Sequence, residues 1–338
     1  MIVEDSAVVR TLLSHIVGED PGLSVVAAVA SAEEAIAALA NVRPDVISMD
    51  IRLPGIDGLE ATRRIMADQP TPIVVVSASI EKDSLASSMQ ALNAGALSVV
   101  EKPVGIGNAD YAGVAKEIRT QLRIMSQVPV VRRRLRSAPL SASVPHHRTP
   151  PRLIVCAAST GGPQALAALL PGLPADPALP ILLVQHMGAA FMPGFAKWLG
   201  DVVPQRVEIA RDGTMPEAGT IHVASGDAHL RLDRAGRLRL GRDAAIRGQR
   251  PAATALLESV AQTMGAAALG IILTGMGEDG APGVRAMIAA GAVVLAEHES
   301  TAIVYGMPAA AVREGATPLP LPLIASQVTR AVAGKAAP

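Results

Sequence analysis

A single cysteine, Cys156, leaves no internal disulfide open to this chain, and a reducing compartment is the simplest setting for it. Aromatic side chains are nearly missing: two Phe, two Tyr and one Trp. Core volume must therefore come from Ala, Val, Leu and Ile, and half of the residues are hydrophobic. Small aliphatic residues suit parallel strands covered on both faces by helices. Neither charge is in excess, because Lys plus Arg and Asp plus Glu each number 30. That balance excludes a general electrostatic attraction to nucleic acid or to an anionic membrane. No apolar run is long enough to cross a bilayer. The opening MIVEDSAVVR meets acidic residues too early for a signal-peptide core. The expected location is cytoplasmic, with no membrane insertion.

What the chain does have is two blocks of short apolar runs alternating with amphipathic segments. The first block offers strands at 2–3, 24–29, 46–49, 73–76 and 97–100. Its helices are expected at 8–17, 32–39, 58–66, 84–92 and 111–125. The second block offers strands at 153–157, 181–185, 220–224, 269–273 and 292–296. Such alternation predicts βαβ units and parallel sheets. Residues 229–240 alternate apolar and polar around Ala235 and Gly236, which predicts a β-hairpin. Between the blocks lies a stretch with Arg132, Arg133, Arg134 and Arg136 among prolines and serines, the composition of an extended linker. The expected division is a domain at 1–122, a flexible linker at 123–151 and a second domain at 152–338. The expected fold class is α/β, with two doubly wound parallel sheets.

In the first block, four polar clusters sit at the ends of apolar strands. Glu4 and Asp5 follow the first, Asp50 ends VISMD, Ser77 ends IVVVS, and Lys102 follows LSVV. In an open parallel sheet the carboxyl ends of the strands converge on one crevice, so these residues should meet. Three carboxylates together repel one another. A hard divalent cation relieves that, and an oxygen-only donor set suits Mg²⁺. Asp50 then becomes a candidate phosphoryl acceptor, with Lys102 and the Ser77 hydroxyl placed to hold phosphoryl oxygens.

With EDS, Asp50 followed by IRLPGIDG, VVVSAS and EKP, residues 1–122 resemble the response-regulator receiver domain. The resemblance implies a flavodoxin-like fold and phosphotransfer from a sensor histidine kinase to Asp50. It also implies Mg²⁺ held by Glu4, Asp5 and Asp50, with the main-chain carbonyl of Arg52 as a further ligand. Two departures stand out: only Met1, Ile2 and Val3 precede the acidic pair, and Val99 stands where many receivers carry an aromatic residue.

The second block opens with LIVCAA running into Ser159-Thr160-Gly161-Gly162-Pro163 and an Ala/Leu helix. A serine there lies beside a helix N-terminus that favours a developing negative charge. The same turn would also serve as an anion site or a helix cap. His186 follows ILLVQ, and Asp279 lies in TGMGEDG after LGIIL. The crevice rule gathers all three. The roles follow: Ser159 attacks, His186 carries the proton, and Asp279 orients the imidazole. His298 also follows a strand, and Glu278 or Glu297 are alternative orienting acids. Cys156 lies inside an apolar strand and reads as core.

From about 152 to 324 the chain resembles the catalytic domain of the chemotaxis protein-glutamate methylesterases. The matching pieces are ASTGGP, VQHM, ASGDAHL, LTGMGEDGAPGV, AMIAAGA and HESTAIVYGMP. The resemblance implies a Rossmann-like hydrolase domain with the triad on Ser159, His186 and Asp279. It places an oxyanion donor, a main-chain N–H, on Met276 and a pocket residue on Thr160. It implies hydrolysis of glutamate γ-methyl esters on methylated chemoreceptor cytoplasmic domains, with glutamine deamidation at the same site and no cofactor for either reaction. Residues 250–254 read RPAAT, so Thr254 replaces an acid common in the family, and 297–299 read Glu-His-Glu where Gln-Asp-Glu is frequent. The fusion leads to the expectation that the unphosphorylated receiver restrains the hydrolase.

Overall fold

The computed structural model describes residues 1–77, 89–92, 94–103, 111–128, 149–176 and 178–333. The chain divides into two compact units, Met1–Ser137 and Ala138–Pro338. Of the linker expected over 123–151, residues 129–148 lie outside the described set, and its first residues complete the helix Tyr111–Met125. Of the helix expected at 84–92, residues 89–92 are helical and the remainder lies outside the described residues.

The first unit is a five-stranded sheet of β1 (Ile2–Val3), β2 (Ala28–Val29), β3 (Ile47–Met49), β4 (Ile73–Ser77) and β5 (Ser98–Glu101). All neighbours are parallel, in the order β2-β1-β3-β4-β5. That is the flavodoxin-like arrangement. Every residue of β4 is buried, as expected of a central strand covered on both faces. Helices Ala7–Gly18, Ala32–Val42 and Gly58–Asp68 begin at Ser6, Ser31 and Asp57, whose side chains accept from Val9, Glu34 and Glu60 N–H. The second strand was expected over 24–29, but only Ala28–Val29 pairs. The register Ile2↔Ala28 leaves Val25 and Val26 with no partner on β1, so they stay exposed at this edge.

The second unit holds β6 (Leu153–Ala158), β7 (Ile181–Gln185), β8 (Arg206–Ile209), β9 (Thr220–Val223), β12 (Ala268–Ile272), β13 (Val293–Glu297) and β14 (Thr317–Leu319). They form one parallel sheet in the order β14-β13-β12-β6-β7-β9-β8. Between them in sequence, β10 (His229–Leu232) and β11 (Leu238–Gly241) make the expected antiparallel hairpin. The Asp233 carboxylate accepts the Ala235 and Arg237 N–H groups in its turn. Leu256, Leu257 and Val260 of the helix Ala253–Met264 pack with Val155, Ala157 and Ile272 in the main core. The edge strands β8 and β14 escape a pattern reading: β8 is only partly buried, and β14 contains Pro318, which an edge tolerates. From β6 the chain runs to β7 on one side and later to β12 on the other. The switch point therefore lies at the carboxyl ends of β6 and β12, where an open α/β sheet presents its crevice. No described helix is long and apolar enough to cross a membrane.

Candidate functional site

Ser159 is the first residue past β6, and the Ser159 N–H donates to the Thr274 carbonyl past β12 at 3.0 Å. Thr274 Oγ1 donates to the Thr160 carbonyl at 2.9 Å, tying the two loops a second time. The Ser159 carbonyl accepts from Gly162 N–H and from Gln185 Nε2, each at 2.8 Å. The same Gln185 amide donates to the His186 carbonyl at 3.0 Å, so one buried side chain ties the loops past β6 and β7 together. Gly161 takes φ +76° to turn the chain into the helix Gly162–Leu169. A Cβ there would lie 2.8 Å from Ile303.

His186 follows β7, and its Nε2 meets Asp279 Oδ2 at 2.9 Å. His186 Nδ1 is buried with no hydrogen-bond partner among the described residues. Asp279 is itself 4% exposed and fully engaged. Its Oδ2 also accepts from Ala253 N–H at 2.6 Å, and its Oδ1 accepts from Thr254 N–H at 3.1 Å and Thr254 Oγ1 at 2.7 Å. Burial alone would push the carboxyl up, but the hydrogen bonds from His186 and Thr254 outweigh it and hold Asp279 below the usual carboxylate range. Met276 lies between Thr274 and Asp279 on the same loop, and its N–H donates to no described residue. Thr160, 5% exposed, keeps its Oγ1 without a described partner.

The alternative groups are committed elsewhere. Glu278 is exposed and paired with Arg247 at 3.1 Å and Arg313 at 2.7 Å. Glu297 Oε2 accepts the Thr274 N–H at 2.9 Å, a structural bond beneath the loop. His298 Nδ1 closes a local turn with Ser300. Complete burial, with Glu297 nearby, pushes the Cys156 thiol far above its ordinary range, so it offers no thiolate.

In the first unit, Lys102 Nζ lies 2.8 Å from both Glu4 Oε2 and Asp50 Oδ2. One oxygen each of Glu4, Asp5 and Asp50 lie within 4.8 Å of one another. Burial, with Asp50 adding to it, raises the Glu4 carboxyl in spite of the lysine. The two carboxylates outweigh burial and raise Lys102. Asp50 Oδ1 accepts a long bond, 3.3 Å, from Arg52 N–H. Gly58 opens its helix so close to this strand end that a Cβ would lie 1.9 Å from the Asp50 carbonyl. Ser77 is the buried last residue of β4, and the Lys102 N–H donates to its carbonyl at 2.9 Å. Three carboxylates against one ammonium leave negative charge over, which fits a hard cation.

Thr254 and Gln185 are the site residues that motif reasoning does not single out as participants. The sequence signals only that an acceptor is needed at the start of the helix Ala253–Met264, not which residue meets Thr254. The segment Arg250-Pro251-Ala252-Ala253 opens a helix without a capping side chain, so its first N–H groups need an acceptor from elsewhere.

The family model described as CheB methylesterase matches residues 154–328, and that of the response regulator receiver domain matches residues 1–109. A protein-glutamate methylesterase/protein-glutamine glutaminase of Paramagnetospirillum magneticum is 50% identical, over 97% of this chain and 96% of its own. Its namesake in Nitrosospira multiformis is 42% identical, over 98% and 96%. Among solved structures, the CheB methylesterase catalytic domain of Thermotoga maritima superposes with a TM-score of 0.51 at 33% identity, covering 53% of this chain and 98% of that one.

Proposed function

This chain belongs to the CheB methylesterase family, and from that premise we propose that Ser159, His186 and Asp279 carry its hydrolysis. The enzyme is a phosphorylation-regulated protein-glutamate methylesterase and glutaminase that acts on chemoreceptors. The observation that carries the residue assignment is the His186 Nε2 to Asp279 Oδ2 contact at 2.9 Å, with Nδ1 left without a partner among the described residues. Three further donors already point at the Asp279 oxygens, so the shared proton belongs on Nε2. The free lone pair then sits on Nδ1, the atom that serves as base.

Ser159 Oγ attacks the γ-carbonyl carbon of the methylated glutamate as Nδ1 takes its proton. The carbonyl π pair moves onto oxygen, where the Met276 N–H receives it. Collapse re-forms the carbonyl and breaks the bond to the methoxy group, which takes the proton from Nδ1 and leaves as methanol. A water then repeats the sequence on the acyl-enzyme and frees the glutamate carboxylate and Ser159. With glutamine the leaving group is ammonia, and the same atoms serve. Thr160, with its buried hydroxyl unpartnered, lines the pocket beside the nucleophile.

In the receiver, taken as 1–122, Asp50 accepts a phosphoryl group from a sensor histidine kinase. Glu4, Asp5, Asp50 and the Arg52 carbonyl would hold Mg²⁺, which supplies charge neutralisation to the transfer. Lys102 and Ser77 hold phosphoryl oxygens. The catalytic domain, taken as 152–338 beyond a linker at 123–151, works in the cytoplasm on the methylated cytoplasmic domains of the receptors. The test is methanol release from a methylated receptor fragment. Ser159→Ala should abolish it and leave labelling of Asp50 by acetyl phosphate intact. Undiminished release from that variant removes the triad assignment.

A further inference from the structure

The carboxylate of Asp279 is held by the start of the helix that runs into β12, not by the loops that carry Ser159 and His186. The helix Ala253–Met264 has no side-chain cap, and Ala253 and Thr254 give their N–H groups to Asp279 instead. Asp279 thus caps this helix from another part of the chain, and the positive helix end favours its charge. Thr254 adds a side-chain bond. Its Oγ1 accepts the Gly280 N–H at 2.9 Å and lies 2.7 Å from Asp279 Oδ1. A hydroxyl has one proton. Because Gly280 already supplies a donor to the oxygen, that proton is directed onto Oδ1. The hydroxyl therefore reads Asp279 as an acceptor only, and it grips the loop through residues 279 and 280 together.

We propose that Thr254 is a positioning residue for the hydrolytic reaction: its hydroxyl fixes the Asp279 carboxylate so that Oδ2 is offered to His186 Nε2 and the imidazole keeps Nδ1 free. This rests on the triad reading above. Thr254 touches no substrate and acts through Asp279. Thr254 as a whole is buried, 4% exposed. The charged groups next to this carboxylate in sequence and space leave the task to it. His186 is the proton carrier itself, and Glu278 turns outward to Arg247 and Arg313. Upstream, His229 accepts the Ala252 N–H at 3.2 Å and meets the Ala244 carbonyl at 3.1 Å, which anchors the helix start but leaves Asp279 untouched.

The test uses the full-length enzyme with acetyl phosphate and a methylated receptor fragment. Thr254→Val keeps the shape and loses the hydroxyl, Thr254→Ala loses the hydroxyl and the methyl, and Thr254→Ser keeps the hydroxyl. Both hydroxyl-free variants should lower kcat roughly 10- to 100-fold with KM little changed, since the lost interaction serves the transition state. Thr254→Ser should restore kcat to within about threefold of the parent. Wild-type kcat in either hydroxyl-free variant overturns the proposal. So does a serine variant as slow as the valine variant, or a loss confined to KM. Ser159→Ala run beside them separates the two levels. If it stays active, the triad reading fails; if it is dead while Thr254→Val is unimpaired, only the role of Thr254 fails.

Discussion

Asp50 and Asp279 are both 4% exposed and both sit in loops beyond the carboxyl ends of parallel strands, yet they are held in opposite ways. Four donors at 3.1 Å or less converge on Asp279: His186, Ala253 N–H and two from Thr254. Among the described residues, Asp50 has the ammonium of Lys102, which Glu4 shares, and one backbone N–H at 3.3 Å. A triad aspartate must keep its charge and never react, and saturation by fixed donors achieves that. A phosphoryl acceptor must present a lone pair to incoming phosphorus, so its oxygens cannot all be engaged. Burial is the same in both; the number of donors, and whether one is shared with a second carboxylate, decides whether the carboxylate is an anchor or a reagent.

The largest expected effect breaks the comparison at both ends. Asp279→Asn should lower kcat about 10⁴-fold, because an amide facing His186 favours the wrong tautomer. Asp50→Asn should leave basal methanol release within about threefold of the parent and abolish its stimulation by acetyl phosphate, since Asp50 takes no part in acyl transfer. Steady-state methanol assays on both variants check this. Full basal loss in Asp50→Asn would mean that the receiver aspartate does more than accept a phosphoryl group.

A smaller effect follows from the opposite pKa displacements. Glu4 is raised by burial and by Asp50. Its contribution to stability is therefore present below its unfolded pKa and is lost as pH rises through the folded value. Asp279 is lowered by its hydrogen bonds with His186 and Thr254, against burial. Its contribution is present above its unfolded pKa, about 4, and is lost as pH falls through the folded value. At neutral pH the receiver thus carries a charge cost that a cation relieves. Mg²⁺ at a hundred times its Kd should add about 2.7 kcal/mol to receiver stability and nothing to the catalytic domain. Calorimetry should show one transition moving with Mg²⁺ while the other stays. Two stationary transitions would remove the metal site.

Much of this was legible in the sequence. The motifs at Glu4, Asp50 and Ser77 and the Ser159, His186 and Asp279 loops end central strands, and Lys102 follows the apolar edge strand β5; a pattern reading finds such runs. The edges β2, β8 and β14 were not legible as they stand. Pro318 in β14 and the partly exposed β8 carry no apolar run, and β2 shrinks because its register on the two-residue β1 leaves Val25 and Val26 unpaired. The Thr254 contact was hidden for a different reason. Residues 254 and 279 are joined only by tertiary packing of the helix Ala253–Met264, and a threonine in a helix's first turn has no local signature of what it will touch.

The smallest expected effect tests the acid beside Asp279. Glu278 carries the same charge on the same loop, but it is exposed and shares its carboxylate between Arg247 and Arg313. Solvent screens such pairs, and each contributes from nothing to about 1 kcal/mol. Glu278→Gln should therefore move the melting temperature by no more than about 4–8 °C and leave kcat within about twofold. If chemistry needed only a nearby negative charge, this substitution would cost as much as Asp279→Asn. A loss of several hundredfold in Glu278→Gln would show that negative charge on the loop, and not the set of fixed donors around Asp279, is what matters.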